Sequence, residues 1–180
     1  LMRTLIGFGA ALFLIYGLLA VPLRSYVQPL VIMSVIPFGF IGAVVGHILF
    51  DISLNMLSIL GLVALAGVVV NDSLILVEFA NRRRSDGMSI DDSLMSAGQQ
   101  RFRAIVLTTL TTFVGLLPML FETSMQAQFV IPMAISLSFG IVFATTMTLI
   151  LVPCCYRIVY DIKGSLAARM TSVKARMSND

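Results

Sequence analysis

Runs without a charged side chain decide what this chain can become. No Asp, Glu, Lys or Arg stands between Arg3 and Arg24, between Arg24 and Asp51, or between Asp51 and Asp72. The same holds from Ala104 to Phe121 and from Thr123 to Tyr156. About 18 or more consecutive apolar residues match the hydrocarbon thickness of a bilayer. A soluble domain of 180 residues that is 58% hydrophobic and 12% charged lacks the polar side chains to cover its surface. The sequence therefore specifies an all-α integral membrane protein, because a helix satisfies its own backbone in lipid. Five transmembrane spans are expected, at about 4–23, 27–50, 55–80, 104–121 and 130–156.

The basic residues orient those spans. An odd number of crossings puts the two ends on opposite sides. One side then receives Arg24, the run Arg82, Arg83 and Arg84, Arg101 and Arg103, and Arg157, Lys163, Arg169, Lys174 and Arg176. That is eleven of twelve basic residues, and only Arg3 falls on the other side. Basic segments stay cytoplasmic, so a periplasmic N-terminus and a cytoplasmic C-terminus are expected. The first span is too long for the core of a cleaved signal peptide and lacks a small-x-small site. The native start is expected upstream of Leu1.

Between the spans the outer loops are short, Asp51–Asn55 and Glu122–Gln128. The inner connection is longer. Ser89, Ile90, Asp91 and Asp92 form an N-cap signature with acid in the first turn, and a separate surface helix is expected over about 89–101. Residues 1–163 then make up the membrane domain, and 164–180 a basic, flexible cytoplasmic tail. Gly42 and Gly46 form a G-x-x-x-G, a place for close helix approach. His47, the only histidine, lies near the outer boundary with no visible partner and is expected as an interfacial polar residue. Cys154 and Cys155 are adjacent; neighbours rarely bridge, and two thiols do not make a metal site. No metal and no cofactor are expected, and no nucleic-acid partner. No nucleophile–base pair, ligand cluster or phosphate loop suggests an enzyme.

The stretch "GVVVNDSLILVEFANRRR", residues 67–84, is different in kind. Asp72 is ten residues from Arg82, about 15 Å of helix and half of a roughly 30 Å hydrocarbon core. A charge at that depth costs about 2.5–3.5 kcal/mol on insertion scales, so Asp72 must face protein, find partners or hold a proton. Removal from water favours the neutral form of a carboxyl group, which can then release its proton when a neighbour or water arrives. Glu78, a helical turn from Arg82, is expected to snorkel and pair with it. Gly61, Ala64, Gly67, Asn71, Asp72 and Glu78 share an arc of about 140°. Small and polar groups on one stripe imply close helix contact. Span four carries Thr108, Thr111, Thr112 and Gly115 on one side; span five carries Ala134, Ser138, Thr145 and Thr148. Three helices thus offer hydroxyls or amides to one carboxyl group, although hydroxyls in membrane helices also bond back to their own carbonyls.

Four segments together, "SYVQPLVIMSVIPFGFIGAVVGHILF", "LSILGLVALAGVVVNDSLILVEFANRRR", "RFRAIVLTTLTTFVGLLPML" and "LVPCCYRIVYDIKG", make the chain resemble the C-terminal membrane portion of a resistance–nodulation–division (RND) multidrug efflux pump. The resemblance covers nearly all of residues 1–163. It implies spans eight to twelve of a twelve-span, two-repeat transporter in a bacterial inner membrane, driven by proton antiport. The partners it implies are the N-terminal repeat and periplasmic domains of the same pump, a homotrimeric assembly, a periplasmic adaptor, an outer-membrane channel and the lipid bilayer. Position 71 matches a lysine that pairs with two aspartates of the first repeat in the better-known drug pumps; this chain has Asn71, followed by Asp72. Thr108 and Arg101 match the threonine and arginine of that relay. The proton-relay candidates are therefore Asp72, Asn71, Thr108 and Arg101, with Thr111, Thr112, Ser138 and Thr145 as a supporting polar face. The same helices also suit an RND-like lipid-, sterol- or metal-exporting protein, or a structural membrane module in which Asp72 serves helix association alone. If the polar stripes pack against an absent repeat, the chain by itself should expose them, self-associate or adopt a non-native packing.

Overall fold

A computed structural model describes residues 2–177, with side chains for residues 6–162. Helix α1 is Met2–Leu23, α2 is Gln28–Met33, α3 is Ile36–Leu49, α4 is Met56–Ser85, α5 is Ile90–Leu120 and α6 is Met125–Met177. There is no strand among the described residues. Five helical segments are long and apolar enough to cross a bilayer: Ile6–Leu23, Gln28–Leu49, Met56–Ser85, Ile90–Leu120 and Met125–Ile162. All five expected spans are therefore present.

Two details depart from the expected boundaries. The second span is broken into α2 and α3 around Ser34 and Val35. Pro37 explains the break, since it has no N–H for the carbonyl of Met33 and its ring crowds that position. The Ser34 hydroxyl caps the gap by donating to the Val31 carbonyl at 2.6 Å. The stretch expected as a separate surface helix, 89–101, runs straight on into span four as the single helix α5. No proline lies between Ile90 and Leu117, so nothing interrupts the hydrogen-bond ladder where the chain enters lipid. The start is as expected: Ser89 accepts from the Asp92 amide at 3.2 Å, with Asp91 and Asp92 in the first turn. The backbone of the expected tail is helical to Met177. Residues 178–180 lie outside the described residues, as do the side chains of Arg3 and of the basic residues from Lys163 onward.

Helix α6 is the element against which α3, α4 and α5 all pack, whereas among the described residues α1 packs chiefly on α2 and α4. Close approach depends on glycine. A Cβ on Gly42 would lie 2.6 Å from the Phe139 carbonyl oxygen, and one on Gly46 would lie 2.6 Å from the Phe139 ring. The G-x-x-x-G thus seats α3 on α6. Gly61 does the same for α4. The core between these contacts is aliphatic, with Ile32, Val35, Val77, Ile141 and Val152 at 0–2% exposure.

Candidate functional site

Helix α4 has one face in the bundle and one outside it. Ser58, Gly61, Leu65, Val69, Asp72, Ser73, Leu76 and Ala80 are buried. Ala64, Gly67, Asn71 and Glu78 are exposed. The small and polar stripe expected from the sequence is therefore divided, with Gly61 and Asp72 inside and the other four on the free surface. Asp72 is 7% exposed, and its Oδ2 has no hydrogen-bonding partner among the described residues. Its neighbour Ser73 meets Thr148 of α6, hydroxyl to hydroxyl, at 3.5 Å. Glu78 makes no ion pair with Arg82 among the described residues; the described ion pairs both involve Arg157, with Asp91 and Asp161.

The threonines of α5 are also divided. Thr108 donates to the Ile105 carbonyl at 2.8 Å, Thr111 to the Leu107 carbonyl at 2.8 Å, and Thr112 to the Thr108 carbonyl at 2.8 Å. Thr108 and Thr111 are exposed and Thr112 is half-buried. These three hydroxyls satisfy themselves on their own helix. The hydroxyl that crosses to another helix is Thr109, buried, which donates to Ile105 and meets Thr145 of α6 at 2.7 Å. Periodicity on α5 favoured the face of Thr108, one residue away, because four small or hydroxylated residues recur there. Arg101 lies half-buried near the start of the span, its guanidinium carbon 5.0 Å from the Phe79 ring centroid and its Nε without a partner. Ser138, like Ser136, is buried with an unpartnered hydroxyl. The structure thus brings Asp72, Ser138 and Thr145 inside the bundle and leaves Asn71, Thr108 and Thr111 on its outer face.

His47, expected from the sequence near the outer boundary without a partner, is 3% exposed in the last turn of α3 and has partners on both sides. Nδ1 lies 2.9 Å from the Ala43 carbonyl and Nε2 lies 2.8 Å from the Ser58 hydroxyl. A carbonyl only accepts, so Nδ1 carries a proton toward Ala43, while Nε2 faces the Ser58 hydroxyl, which also lies 3.3 Å from the Asn55 side-chain oxygen. Ser58 in turn accepts the Asn55 amide at 3.2 Å, while the Asn55 side chain accepts from the amides of Leu57 and Ser58. This capping box ties the start of α4 to the last turn of α3. The pairing joins positions eleven residues apart across a turn, which helical spacing does not reveal. At the opposite end Asn81 and Gln28 exchange side-chain bonds of 3.1 and 2.9 Å, and Tyr156 donates to Asn81 at 2.6 Å. Cys154 is exposed and Cys155 half-buried, both as free thiols.

Bilayer-length helices packed around α6, with a carboxyl group buried mid-way along one of them, define a polytopic membrane protein with a few polar groups set into an aliphatic interior. The family model described as the AcrB/AcrD/AcrF family matches residues 2–160, and the chain belongs to that family of RND efflux transporters. It is 32% identical over 148 residues to "Multidrug resistance protein MdtC" of Erwinia amylovora, covering 82% of this chain and 14% of that protein. The protein of the same name from Proteus mirabilis is 31% identical over the same coverage. Among solved structures, the X-ray crystal structure of a heavy metal efflux pump matches with a TM-score of 0.73 at 26% identity, over 85% of this chain and 15% of that chain. The chain thus spans 14% of the length of the relatives it matches.

Proposed function

We propose that the chain is the membrane part of a proton-driven efflux transporter and that Asp72 takes up and releases the proton. The observation that carries this reading is a buried carboxyl oxygen, Asp72 Oδ2, without a partner half-way along a bilayer-length helix. An intramembrane acid that did no more than hold helices together would be expected to bond to them. Asn71, Thr108 and Arg101 are proposed neighbours of the transfer path, and Thr111, Thr112, Ser138 and Thr145 its supporting polar groups. Asn71, Gly67 and Ala64 on α4 and Thr108, Thr111 and Gly115 on α5 are exposed at the depth of the hydrocarbon. An amide facing lipid is costly, so this uncovered stripe is the proposed seat of the remaining repeat of a longer pump.

The cargo is drugs or other small toxic compounds, by similarity to the multidrug resistance relatives. Export of metal ions is the second reading, favoured by the heavy metal pump among the similar structures. The protein is placed in an inner membrane with its N-terminus periplasmic and its C-terminus cytoplasmic, the side to which Arg82, Arg83, Arg84 and Arg157 then belong. A homotrimer with periplasmic adaptor and outer-membrane channel completes the proposed machine. The test is Asp72→Asn in the full-length pump, read by efflux of a fluorescent substrate and by membrane abundance. Loss of efflux at unchanged abundance supports the relay; full efflux assigns Asp72 to helix association.

A further inference from the structure

The end of the bundle carrying the arginine run holds a cleft that the relay does not use. Gln28 of α2, Arg84 of α4, and Tyr156 and Tyr160 of α6 line a cavity of about 110 Å³. The Arg84 guanidinium carbon sits 4.3 Å from the centroid of the Tyr160 ring. Stacking fixes the plane of the guanidinium by its face and leaves its N–H edge free to donate. Among the described residues no carboxylate pairs with Arg84; both described ion pairs are made by Arg157, with Asp91 and Asp161. One N–H of the Gln28 side chain is used by Asn81, leaving its second unpartnered. The Tyr156 hydroxyl is already committed to Asn81. That bond and the Gln28–Asn81 pair hold the walls of the cleft in place. The result is a fixed cation and an amide donor lining the same small concavity.

Depth identifies what can reach it. From the Asn55 cap to Arg84 is 29 residues, about 44 Å of helix, which equals the full thickness of a bilayer with its headgroups. Arg84 therefore lies in the headgroup layer when Asn55 lies in the opposite one. We propose that the cleft where Arg84 stacks on Tyr160, between α2, α4 and α6, binds the phosphate headgroup of an anionic phospholipid. Basic pockets between membrane helices are suited to such headgroups, and charge-assisted bonds from Arg to phosphate give the selectivity. The proposal is independent of Asp72 and of any cargo.

Native mass spectrometry of the full chain in detergent, offered equal amounts of phosphatidylglycerol and phosphatidylcholine with matched acyl chains, tests it. Phosphatidylglycerol is expected to be retained about tenfold more. Arg84→Gln should abolish that preference and Arg82→Gln should preserve it. Tyr160→Ala, which changes no charge, should weaken it several-fold by releasing the guanidinium from its platform. The proposal is overturned if Arg82→Gln and Arg84→Gln lower retention equally, since charge alone would then explain binding. It is also overturned if inorganic phosphate displaces phosphatidylglycerol at equal concentration, since the site would then take a free anion.

Discussion

Gly61 and Gly67 lie on the same helix six residues apart, yet adding one methyl group to each should have opposite effects. A Cβ on Gly61 would stand 2.5 Å from the Met133 carbonyl oxygen and 2.9 Å from the Ser136 Cβ of α6. The first obstacle is backbone in a helix, which cannot yield as a side-chain tip can. Helices α4 and α6 must separate, and overpacking of that kind costs about 1–3 kcal/mol. Gly67 has nothing within 4 Å of the same position. There Gly67→Ala gains helix propensity, roughly 0.5–1 kcal/mol, and loses no contact. Thermal unfolding of the chain in detergent, followed by circular dichroism, should place Gly61→Ala below the parent and Gly67→Ala at or above it. Equal damage by both would refute this packing of α4 on α6, because it would mean that the Gly67 face is covered. In a full-length pump the expectation for Gly67→Ala reverses if that face receives the other repeat, so one substitution measured in two contexts reports whether the stripe is a docking face.

Two other perturbations follow from buried polar groups. His47→Leu removes the shorter of the Ser58 hydroxyl's two contacts, leaving only the Asn55 side-chain oxygen at 3.3 Å, and should cost about 1 kcal/mol; Ser58→Ala should cost a similar amount, and the double variant less than the sum, because both remove one network. Additive losses in thermal unfolding would rule out the His47–Ser58 link between α3 and α4. Asp72→Leu should instead raise the stability of the chain by about 1–3 kcal/mol, since it removes a buried oxygen that nothing satisfies. A marked loss of stability would show that Asp72 is held by bonds and is a structural group.

What was legible in the sequence was whatever a single helix determines. Charge-free runs marked all five spans, Ser89 with Asp91 and Asp92 marked the start of α5, and Gly42 and Gly46 marked a helix contact. Burial of Asp72 also followed from depth alone, since a bilayer leaves an acid few alternatives. The misplacements concern relations between helices. Thr108 and Thr109 are equally polar neighbours 100° apart on the helix, and only the position of α6 decides which one crosses to Thr145. His47 lacked a partner in the sequence because Ser58 reaches it across a turn. Arg82 and Glu78 have the spacing of an ion pair, but spacing permits a pair without requiring one. The break at Ser34 was implicit in Pro37, whose effect falls one turn before the proline itself.

The division of α4 into two faces bears on how a carboxyl group in it could change state. On the helical wheel the buried residues run from Gly61 through Ala80 to Val70, about half of the circumference, and the exposed stripe of Ala64, Gly67, Asn71 and Glu78 is centred opposite. Asp72 sits at the margin of the buried half nearest that stripe, about 100° from Asn71. A residue at the centre of the buried face, such as Ser73, is fixed by its partner on α6; one at the margin meets the bundle on one side and whatever covers the stripe on the other. Under the relay reading this is the position the chemistry requires. A proton carrier must be shielded enough to make ionisation conditional and close enough to a second body for that body's movement to alter the condition. The unsatisfied oxygen of Asp72 and the uncovered amide of Asn71 are then two halves of one incomplete site, and the substitution that separates them is Asn71→Leu. In the full-length pump it should impair coupling while leaving the stability of this chain nearly unchanged, because Asn71 makes no hydrogen bond to the bundle among the described residues. Loss of stability in the chain alone would show that the two residues do not divide their contacts between two bodies.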